Sequence, residues 1–487
     1  MGIQGLLEMA ISAVFGAAKA ASTNNSKKRL PGSGREAGFM IGTARPLGKP
    51  DEGAGNQVFL SDSLQSKHTF IAGGSGAGKS TLMRRMRLYA YRRAFATFDI
   101  DFLGDSCDSE LRSLCAMGAD APDVALIDCR QSAYAAAINV LGGPGTPHAR
   151  SSSFTKALGE EANGLGVRIL FNALGASVAL SERGFTVAEF APLFAQDPGF
   201  RRNVIAGLKD DAARAVLEEL DRLPPETLRT YWTEIANKLH NFLYDPALRL
   251  SLGQTGFPDL GRLLDQPSRA TLVALGVARQ PAGVLVAKIL LAALERHVMA
   301  RSEIPEEKRQ PLRVFIDEAS RVAGFGLESL LAEGRRMHCS LIVAMQHTKQ
   351  AEPALREALR ANCSTQIYFA AGGSEATELS SEIVCDLPRE KVREILIGLP
   401  VGTAFLVRRG MPATVVKMPD SPVPKVPAAD LAAFTAAALA KTGLVRSDAE
   451  AAMKERAEWI ASLRSEPNSP PSVVNVKRPL GREAGDA

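Results

Sequence analysis

A glycine-rich segment at residues 73–80 constrains this chain more than any other feature of its sequence. It reads Gly-Gly-Ser-Gly-Ala-Gly-Lys-Ser, which matches the phosphate-binding pattern G-x-x-x-x-G-K-S. The glycines are needed because backbone N–H groups must curl around a phosphate along a path that side chains would block. An apolar run at 69–72 predicts a strand before the loop, and residues 81–91 predict a helix whose amino end favours an anion. This context indicates a nucleoside triphosphate, ATP or GTP, as the substrate.

Two side chains of this loop have defined chemical roles in the prediction. Lys79 can reach the β- and γ-phosphate oxygens, and the hydroxyl of Ser80 can bind Mg²⁺. The predicted nucleotide-binding residues are Gly73, Gly74, Ser75, Gly76, Ala77, Gly78, Lys79, Ser80 and Thr81.

Composition limits the class of protein. At 487 residues the chain is too long for one compact core, so two or three domains are expected. A formal net charge of +5 permits a nucleic-acid partner without requiring one. Six cysteines without a C-x-x-C pair are typical of a reducing cytoplasm, not of a disulfide scaffold or a zinc site. No run of about 20 apolar residues is present, so no transmembrane segment is expected.

The first 22 residues have the pattern of an amphipathic helix. Ile3, Leu7 and Ile11 fall on one helical face, and Gln4 and Glu8 fall on another. Such a helix can pack on its own domain or on a partner, or it can lie on a membrane surface. Both interpretations stay open.

Strand and helix patterns alternate along the rest of the chain, with one long interruption. Short apolar runs predict buried strands, whereas residues 150–250 have helical patterns throughout. We therefore predict an α/β fold with a mostly parallel sheet and an inserted all-α domain. The predicted segments are 1–38 (amphipathic helix and linker), 39–150 and 253–420 (two parts of the nucleotide-binding domain), 151–252 (helical insertion), 421–464 (C-terminal helical segment) and 465–487 (disordered tail).

A second chemical motif follows the apolar run Val314–Ile316, which is predicted as a buried strand. Asp317 and Glu318 come directly after it, where the carboxyl end of a strand faces the nucleotide. We expect Asp317 to hold Mg²⁺ and its water shell, and Glu318 to polarise the attacking water. Gln346 ends the next predicted strand and is expected beside that pair, where an amide can sense the γ-phosphate or orient water.

Arg335 and Arg336 follow Gly334 at the end of the helix between those two strands. An arginine here rarely reaches its own nucleotide, but it can reach the γ-phosphate of a neighbouring subunit as an arginine finger. We predict Arg335 for this role, with Arg336 as the alternative. A solvated surface arginine is the competing interpretation.

The helix after the phosphate loop carries five arginines. They indicate either a nucleic-acid patch or, more often for such a helix, a solvated outer face. These residues are Arg84, Arg85, Arg87, Arg92 and Arg93.

Taken in order, these segments resemble the coupling ATPases of conjugative type IV secretion, the TraG/TraD family, within the HerA/FtsK-like ring ATPases. Asp101–Asp105 lies where that family has D-P-K-G-[DE], although the Pro and Lys are absent here. The resemblance covers about 39–420, and the helical insertion falls where the family has its all-α domain. The matching segments are His68–Thr81, Asp101–Asp105, Ala137–Leu141, Phe315–Glu318, Gly334–Arg335, Ala344–Gln346, Leu359–Cys363 and Leu399–Ala404.

The resemblance implies a RecA-like P-loop ATPase that forms a ring, expected as a hexamer, with ATP and Mg²⁺ at subunit interfaces and DNA in a central channel. It implies an ATP-driven DNA translocase in the transfer of a mobile element, with a relaxase or secretion-channel components as partners. The location would be the cytoplasm, or the periphery of the inner membrane. Typical coupling proteins begin with a transmembrane hairpin, which this sequence does not show.

Two other functions stay open. One is a soluble HerA-like DNA pump in repair or defence, and the other is a secretion-assembly ATPase that never binds DNA.

Overall fold

The computed structural model of the chain describes residues 38–47, 55–130, 133–160, 167–267, 269–276 and 283–463. The predicted amphipathic helix at 1–22 and the predicted disordered tail at 465–487 lie outside these residues.

The described strands, in chain order, are β1 (Gly38–Arg45), β2 (Gln57–Ser61), β3 (His68–Ala72), β4 (Ala96–Asp101), β5 (Val124–Asp128), β6 (Tyr134–Ala136), β7 (Ala270–Ala274), β8 (Leu312–Ile316), β9 (Cys339–Met345), β10 (Cys363–Phe369), β11 (Thr403–Arg408), β12 (Met411–Lys417) and β13 (Gly443–Val445).

The described α-helices up to residue 252 are α1 (Asp62–Gln65), α2 (Lys79–Arg92), α3 (Asp105–Ala116), α4 (Pro147–Glu160), α5 (Val167–Glu182), α6 (Phe190–Leu193), α7 (Gly199–Ala206), α8 (Asp211–Arg222), α9 (Pro225–Leu243) and α10 (Pro246–Leu252). Those that follow are α11 (Leu260–Leu264), α12 (Gly283–Ala300), α13 (Leu327–Glu333), α14 (Pro353–Asn362), α15 (Gly373–Glu382), α16 (Arg389–Gly398), α17 (Ala428–Leu439) and α18 (Arg446–Ser462).

One large sheet contains eleven of these strands, in the order β2-β1-β12-β11-β10-β3-β9-β8-β4-β7-β5. The pairs from β10 through β3, β9, β8 and β4 to β7 are parallel. The pairs from β10 through β11, β12 and β1 to β2 are antiparallel. The predicted α/β class with a mostly parallel sheet is confirmed.

The parallel strands β3, β4, β8 and β9 are buried along their whole length. Strands covered on both faces need mostly apolar side chains, which explains why each appeared in the sequence as a mainly apolar run. Parallel strands also bring their carboxyl ends to one edge of the sheet. The segments that follow β3, β8 and β9 therefore meet at that edge.

The chain divides into two compact units. Among the described residues, unit 1 comprises 38–126, 260–274 and 298–438, and unit 2 comprises 127–259, 275–297 and 439–463. Unit 1 contains most of the large sheet with its helices.

Unit 2 contains the helices α4 to α10 together with the C-terminal helix α18. Trp459 of α18 stacks on Phe185 with ring centroids 6.0 Å apart. Arg456 makes a 2.7 Å ion pair with Glu189, and both side chains are nearly buried. Aromatic stacking and a shielded ion pair fix α18 within this unit.

The predicted C-terminal helical segment, 421–464, contains the two helices α17 and α18 with the strand β13 between them. β13 pairs antiparallel with β6. A Cβ on Gly443 would lie 2.0 Å from the carbonyl oxygen of Ala135, so only glycine lets the two backbones approach this closely.

Two arginines of α2 are buried, so the expected solvated face is wrong for them. Arg87 is 3% exposed, and its guanidinium is 3.0 Å from both carboxylate oxygens of Asp99. Glu110 lies 4.0 Å from the same guanidinium. Arg84 is also buried and donates to the backbone carbonyl of Ser421. Within unit 1 these side chains are internal structure and are not a surface that nucleic acid can contact.

Two carboxylates share the one buried guanidinium of Arg87. Burial raises the pKa of Asp99 to about 7 and that of Glu110 to about 8, against the opposing effect of Arg87. Between about pH 4.5 and pH 8 the folded chain therefore holds more protons than the unfolded chain. In that range this cluster makes the folded state less stable as the pH rises.

Glu110→Gln should remove the part of that pH dependence that Glu110 contributes, because the amide copies the protonated carboxyl, while Asp99 keeps its own part. Relative to wild type, the thermal unfolding midpoint of unit 1 should rise by about 4 °C more at pH 8 than at pH 5. Calorimetry at both pH values measures this. Glu390→Gln, at an exposed position in the same unit, is the control. A shift that is the same at both pH values would contradict the account.

Candidate functional site

The glycine-rich loop at 73–78 is fixed by backbone hydrogen bonds to the neighbouring strands. The N–H of Gly74 donates to the carbonyl of Ala370, just after β10, at 2.8 Å. The N–H of Gly402, just before β11, donates to the carbonyl of Ala77 at 2.9 Å. The loop is thus held at both ends by backbone next to β10, which pairs with β3, and next to β11, which pairs with β10.

Glycine is required at the first position of this loop for steric reasons. Gly73 has φ +150°, and a Cβ there would lie 2.6 Å from the Cβ of Phe369. At the other end, Gly78 has φ +119° and precedes the first residue of α2. These conformations leave the backbone amides of the loop free of side-chain obstruction, as a phosphate cradle requires.

Lys79 opens α2 and is 6% exposed. Its Nζ donates to the carbonyls of Gly73 at 2.7 Å and Gly74 at 2.9 Å. Burial lowers the pKa of Lys79, while Asp317 and Glu318 oppose that shift. The ammonium is therefore held inside the loop by two carbonyls, at the place where an incoming phosphate would meet it.

Ser80 and Asp317 come together from elements far apart in the sequence. The hydroxyl of Ser80 donates to Oδ2 of Asp317 at 3.4 Å. Burial raises the pKa of Asp317, and Lys79 and Arg87 pull it back. A hydroxyl and a carboxylate side by side are the oxygen ligands that Mg²⁺ uses beside a nucleotide's phosphates. The donor set therefore fits the predicted ion.

Glu318 adopts a left-handed backbone conformation, with φ +50° and ψ +45°. For a residue other than glycine this costs on the order of 1 kcal/mol, and such strain concentrates at functional sites. Its Oε1 accepts from Nε2 of Gln346 at 3.4 Å. The structure thus brings Glu318 and Gln346 together, where the sequence predicted them.

A cavity of about 310 Å³ lies beside these groups within unit 1. Ser80, Asp317 and Glu318 are on its wall. Most of the others had no role predicted from the sequence, and they come from α2, α3, the last residue of β4 and the segment after it. The remaining lining residues are Thr81, Arg84, Arg87, Asp101, Phe102, Leu103, Asp105, Ser106 and Ser109.

Asp101, the last residue of β4, organises the part of the cavity wall that lies between β4 and α3. Its Oδ1 accepts from the N–H of Leu103 at 3.1 Å, and its Oδ2 accepts from the N–H of Cys107 at 3.0 Å. Both bonds satisfy backbone donors around the start of α3, which have no partner within the helix. Asp101, the first acid of the segment Asp101–Asp105, therefore has a structural role.

Arg335 lies where the parallel strands begin, at the side of the sheet opposite to the phosphate loop. It belongs to a single 3₁₀ turn, Gly334–Met337, that leads into the amino end of β9. It acts electrostatically on His68, the first residue of β3, and a Cβ on Gly334 would be 3.8 Å from that ring. Arg335 is exposed. Arg335 is therefore remote from the phosphate loop, which follows the carboxyl end of β3.

Residues 311–386 match the family model described as "TraM recognition site of TraD and TraG". The match includes Asp317, Glu318, Arg335 and Gln346. The predicted resemblance to TraG/TraD coupling ATPases is thereby confirmed over this segment. No curated protein matches the chain.

Three solved structures of one coupling protein are similar to this chain in fold. Plasmid coupling protein TrwB with the GTP analogue GDPNP has 15% identity and a TM-score of 0.54, covering 82% of this chain and 99% of that one. The unbound bacterial conjugative coupling protein TrwBdeltaN70 has 15% identity and a TM-score of 0.54, covering 84% and 99%. TrwB with ADP and Mg²⁺ has 15% identity and a TM-score of 0.53, covering 82% and 98%. The RecA-like fold is thus the fold of this chain.

Within the part of the chain that the structure describes, no helix is both long enough and apolar enough to span a bilayer.

Gly73→Ala should weaken nucleotide binding, because its Cβ would displace the loop from Phe369. The affinity for a fluorescent ATP analogue should fall by at least about 10-fold, which corresponds to roughly 1.4 kcal/mol. Gly372→Ala is the matched control, since its Cβ would meet nothing within 4 Å. Wild-type affinity in Gly73→Ala would show that the loop does not form the binding site.

Proposed function

We propose that this chain is an ATP-driven DNA-translocating motor of the conjugative coupling type, which works as a ring. One observation carries the proposal. The phosphate loop, the Asp317–Glu318 pair and Gln346 meet at one edge of the sheet, while Arg335 lies at the other. A chain with this arrangement holds most of a hydrolysis site and presents an exposed arginine that can complete the site of a neighbour.

Binding of the nucleotide begins at the loop. Backbone amides at 73–78 surround the β-phosphate, and Lys79 exchanges its carbonyl partners for phosphate oxygens. That exchange replaces two neutral acceptors by charged ones, which bind an ammonium more strongly.

Ser80 and Asp317 are the residues that would hold Mg²⁺. When bound, that ion neutralises charge that develops on the phosphate oxygens. TrwB, a coupling protein of similar fold, is in complex with GDPNP in one structure and with ADP and Mg²⁺ in another, which supports the assignment.

Hydrolysis requires a water in line with the γ-phosphate. Glu318 on the cavity wall accepts hydrogen bonds from that water and polarises it, and Gln346 fixes the geometry of Glu318. An arginine from the next subunit stabilises the charge of the transition state. Each subunit then moves between states with different grips on the DNA backbone, which couples stepping to chemistry.

DNA as the substrate is supported by the TraG/TraD family match and by the similar fold of a plasmid coupling protein and a bacterial conjugative coupling protein. We infer a hexameric ring in the cytoplasm, recruited by a relaxase or by secretion-channel components at the inner membrane. The matched family description names a recognition site for the partner TraM, so residues 311–386 are the segment in which we would seek a comparable contact.

ATP hydrolysis by the full chain should rise with added DNA. Glu318→Gln should lower kcat by about 10²- to 10⁴-fold with DNA present, because the amide cannot act as a base. Phosphate release is measured with no DNA, with single-stranded DNA and with double-stranded DNA at low salt. Hydrolysis that is indifferent to both DNAs would reject translocation and favour an assembly ATPase.

A mixed-ring experiment tests Arg335. Arg335→Ala should lower kcat by about 10³-fold or more, while each subunit keeps its own Glu318. Random mixing with Glu318→Gln subunits should restore activity to about one quarter of wild type, since the intact base and intact arginine then meet at some interfaces. Arg336→Ala is the control, because Arg336 pairs with Glu333 at 3.1 Å on the same short turn. Loss of activity in Arg336→Ala alone would instead identify Arg336 as the finger.

A further inference from the structure

The carboxylate of Glu318 is held by two donors. Nε of Arg321 donates to Oε2 at 2.5 Å, and Nε2 of Gln346 donates to Oε1 at 3.4 Å. The donors approach different oxygens and come from different segments, so the plane of the carboxylate is fixed. Because each carboxylate oxygen has two acceptor sites, both oxygens can still accept a hydrogen bond from water.

Arg321 is itself anchored. Its guanidinium carbon lies 5.7 Å from the ring centroid of Phe102, within the range of a cation–π contact. Phe102 is 2% exposed and belongs to the wall of the cavity. The arginine therefore connects a rigid part of that wall to the carboxylate.

Arg321 approaches Glu318 from outside the cavity. Glu318 is among the described residues that line the cavity, and Arg321 is not. The side chain of Arg321 is 41% exposed, whereas that of Glu318 is 22% exposed. An arginine on this side orients the carboxylate without occupying the space of the nucleotide or of water.

Because the backbone of Glu318 has an unusual conformation, its carboxylate needs a further contact to be held in one orientation. Its left-handed conformation directs the chain from β8 into a short 3₁₀ turn, Ala319–Val322, that contains Arg321. A base must be aligned with its water to be effective, and a misplacement of about 1 Å can cost 10²-fold in rate. The ion pair fixes a side chain whose backbone is already strained.

Resting on the proposed hydrolysis of ATP, we propose that Arg321 is a positioning residue that aims the carboxylate of Glu318 at the attacking water. Its contribution to overall stability is small, because exposed ion pairs three residues apart contribute little. Its effect appears in catalysis, through Glu318.

The test compares steady-state hydrolysis of ATP by the full chain with DNA present. Arg321→Gln should lower kcat by about 10- to 100-fold with KM changed less than about twofold, because alignment and not binding is lost. Arg321→Lys should recover part of kcat, since an ammonium supplies one charged donor but no planar fork.

Two comparisons separate positioning from a structural role. In the Glu318→Gln background, Arg321→Gln should cause no further loss of kcat, because the two residues act as one unit. Lys391→Gln breaks another exposed pair of the same spacing, Lys391–Glu394 at 2.9 Å, and should leave kcat and the unfolding midpoint unchanged.

Three results would overturn the inference. These are an unchanged kcat in Arg321→Gln, a raised kcat, which would make Arg321 a restraint on Glu318, or a further loss in the Glu318→Gln background. If the wild-type chain hydrolyses ATP while any of these occurs, only the role of Arg321 is rejected. If the wild-type chain does not hydrolyse ATP with or without DNA, the proposed function falls and this inference falls with it.

Discussion

The geometry of the site depends on how the glycine loop is tied to the sheet. Hydrogen bonds from Gly74 to Ala370 and from Gly402 to Ala77 attach it to the strands β10 and β11, and Phe369 packs where a side chain on Gly73 would have to go. Backbone groups that are fixed in this way need no rearrangement when a phosphate arrives. Such preorganised dipoles are more effective than groups that must first be turned toward the anion. Every other functional group described here is placed relative to this loop.

The order of the strands determines which groups can meet the loop. β9 lies between β3 and β8, so Gln346, which directly follows β9, lies between the phosphate loop and the pair Asp317–Glu318. This explains why a neutral amide, Gln346, can contact Glu318 from one side while Arg321 contacts it from the other. The acid that would hold the metal and the acid that would polarise water then differ in surroundings. Asp317 lies beside Ser80 and Lys79, whereas Glu318 lies between an amide and an arginine.

Much of this could be predicted from sequence because its chemistry is local. The loop at 73–80 and the pair Asp317–Glu318 are short motifs next to apolar runs, and buried parallel strands produce such runs. The rest depends on contacts between distant segments. The burial of Arg87 requires Asp99 and Glu110, and no periodicity in α2 identifies these partners. The pairing of β6 with β13 joins three-residue strands separated by most of the chain, which are too short for a recognisable pattern.

Strand β3 connects two different chemical environments through five buried residues. At its carboxyl end is the phosphate loop, and at its amino end His68 lies beside the Gly334–Arg335 turn. Burial, with a smaller effect from Arg335, lowers the pKa of His68 to about 4, so the imidazole is neutral near pH 7 and does not repel the arginine. A strand of this length spans only about 16 Å and does not bend independently of its neighbours. In the proposed ring, a displacement of the phosphate loop on nucleotide binding would be transmitted through the rigid strand β3 to Arg335, which faces the site of the next subunit.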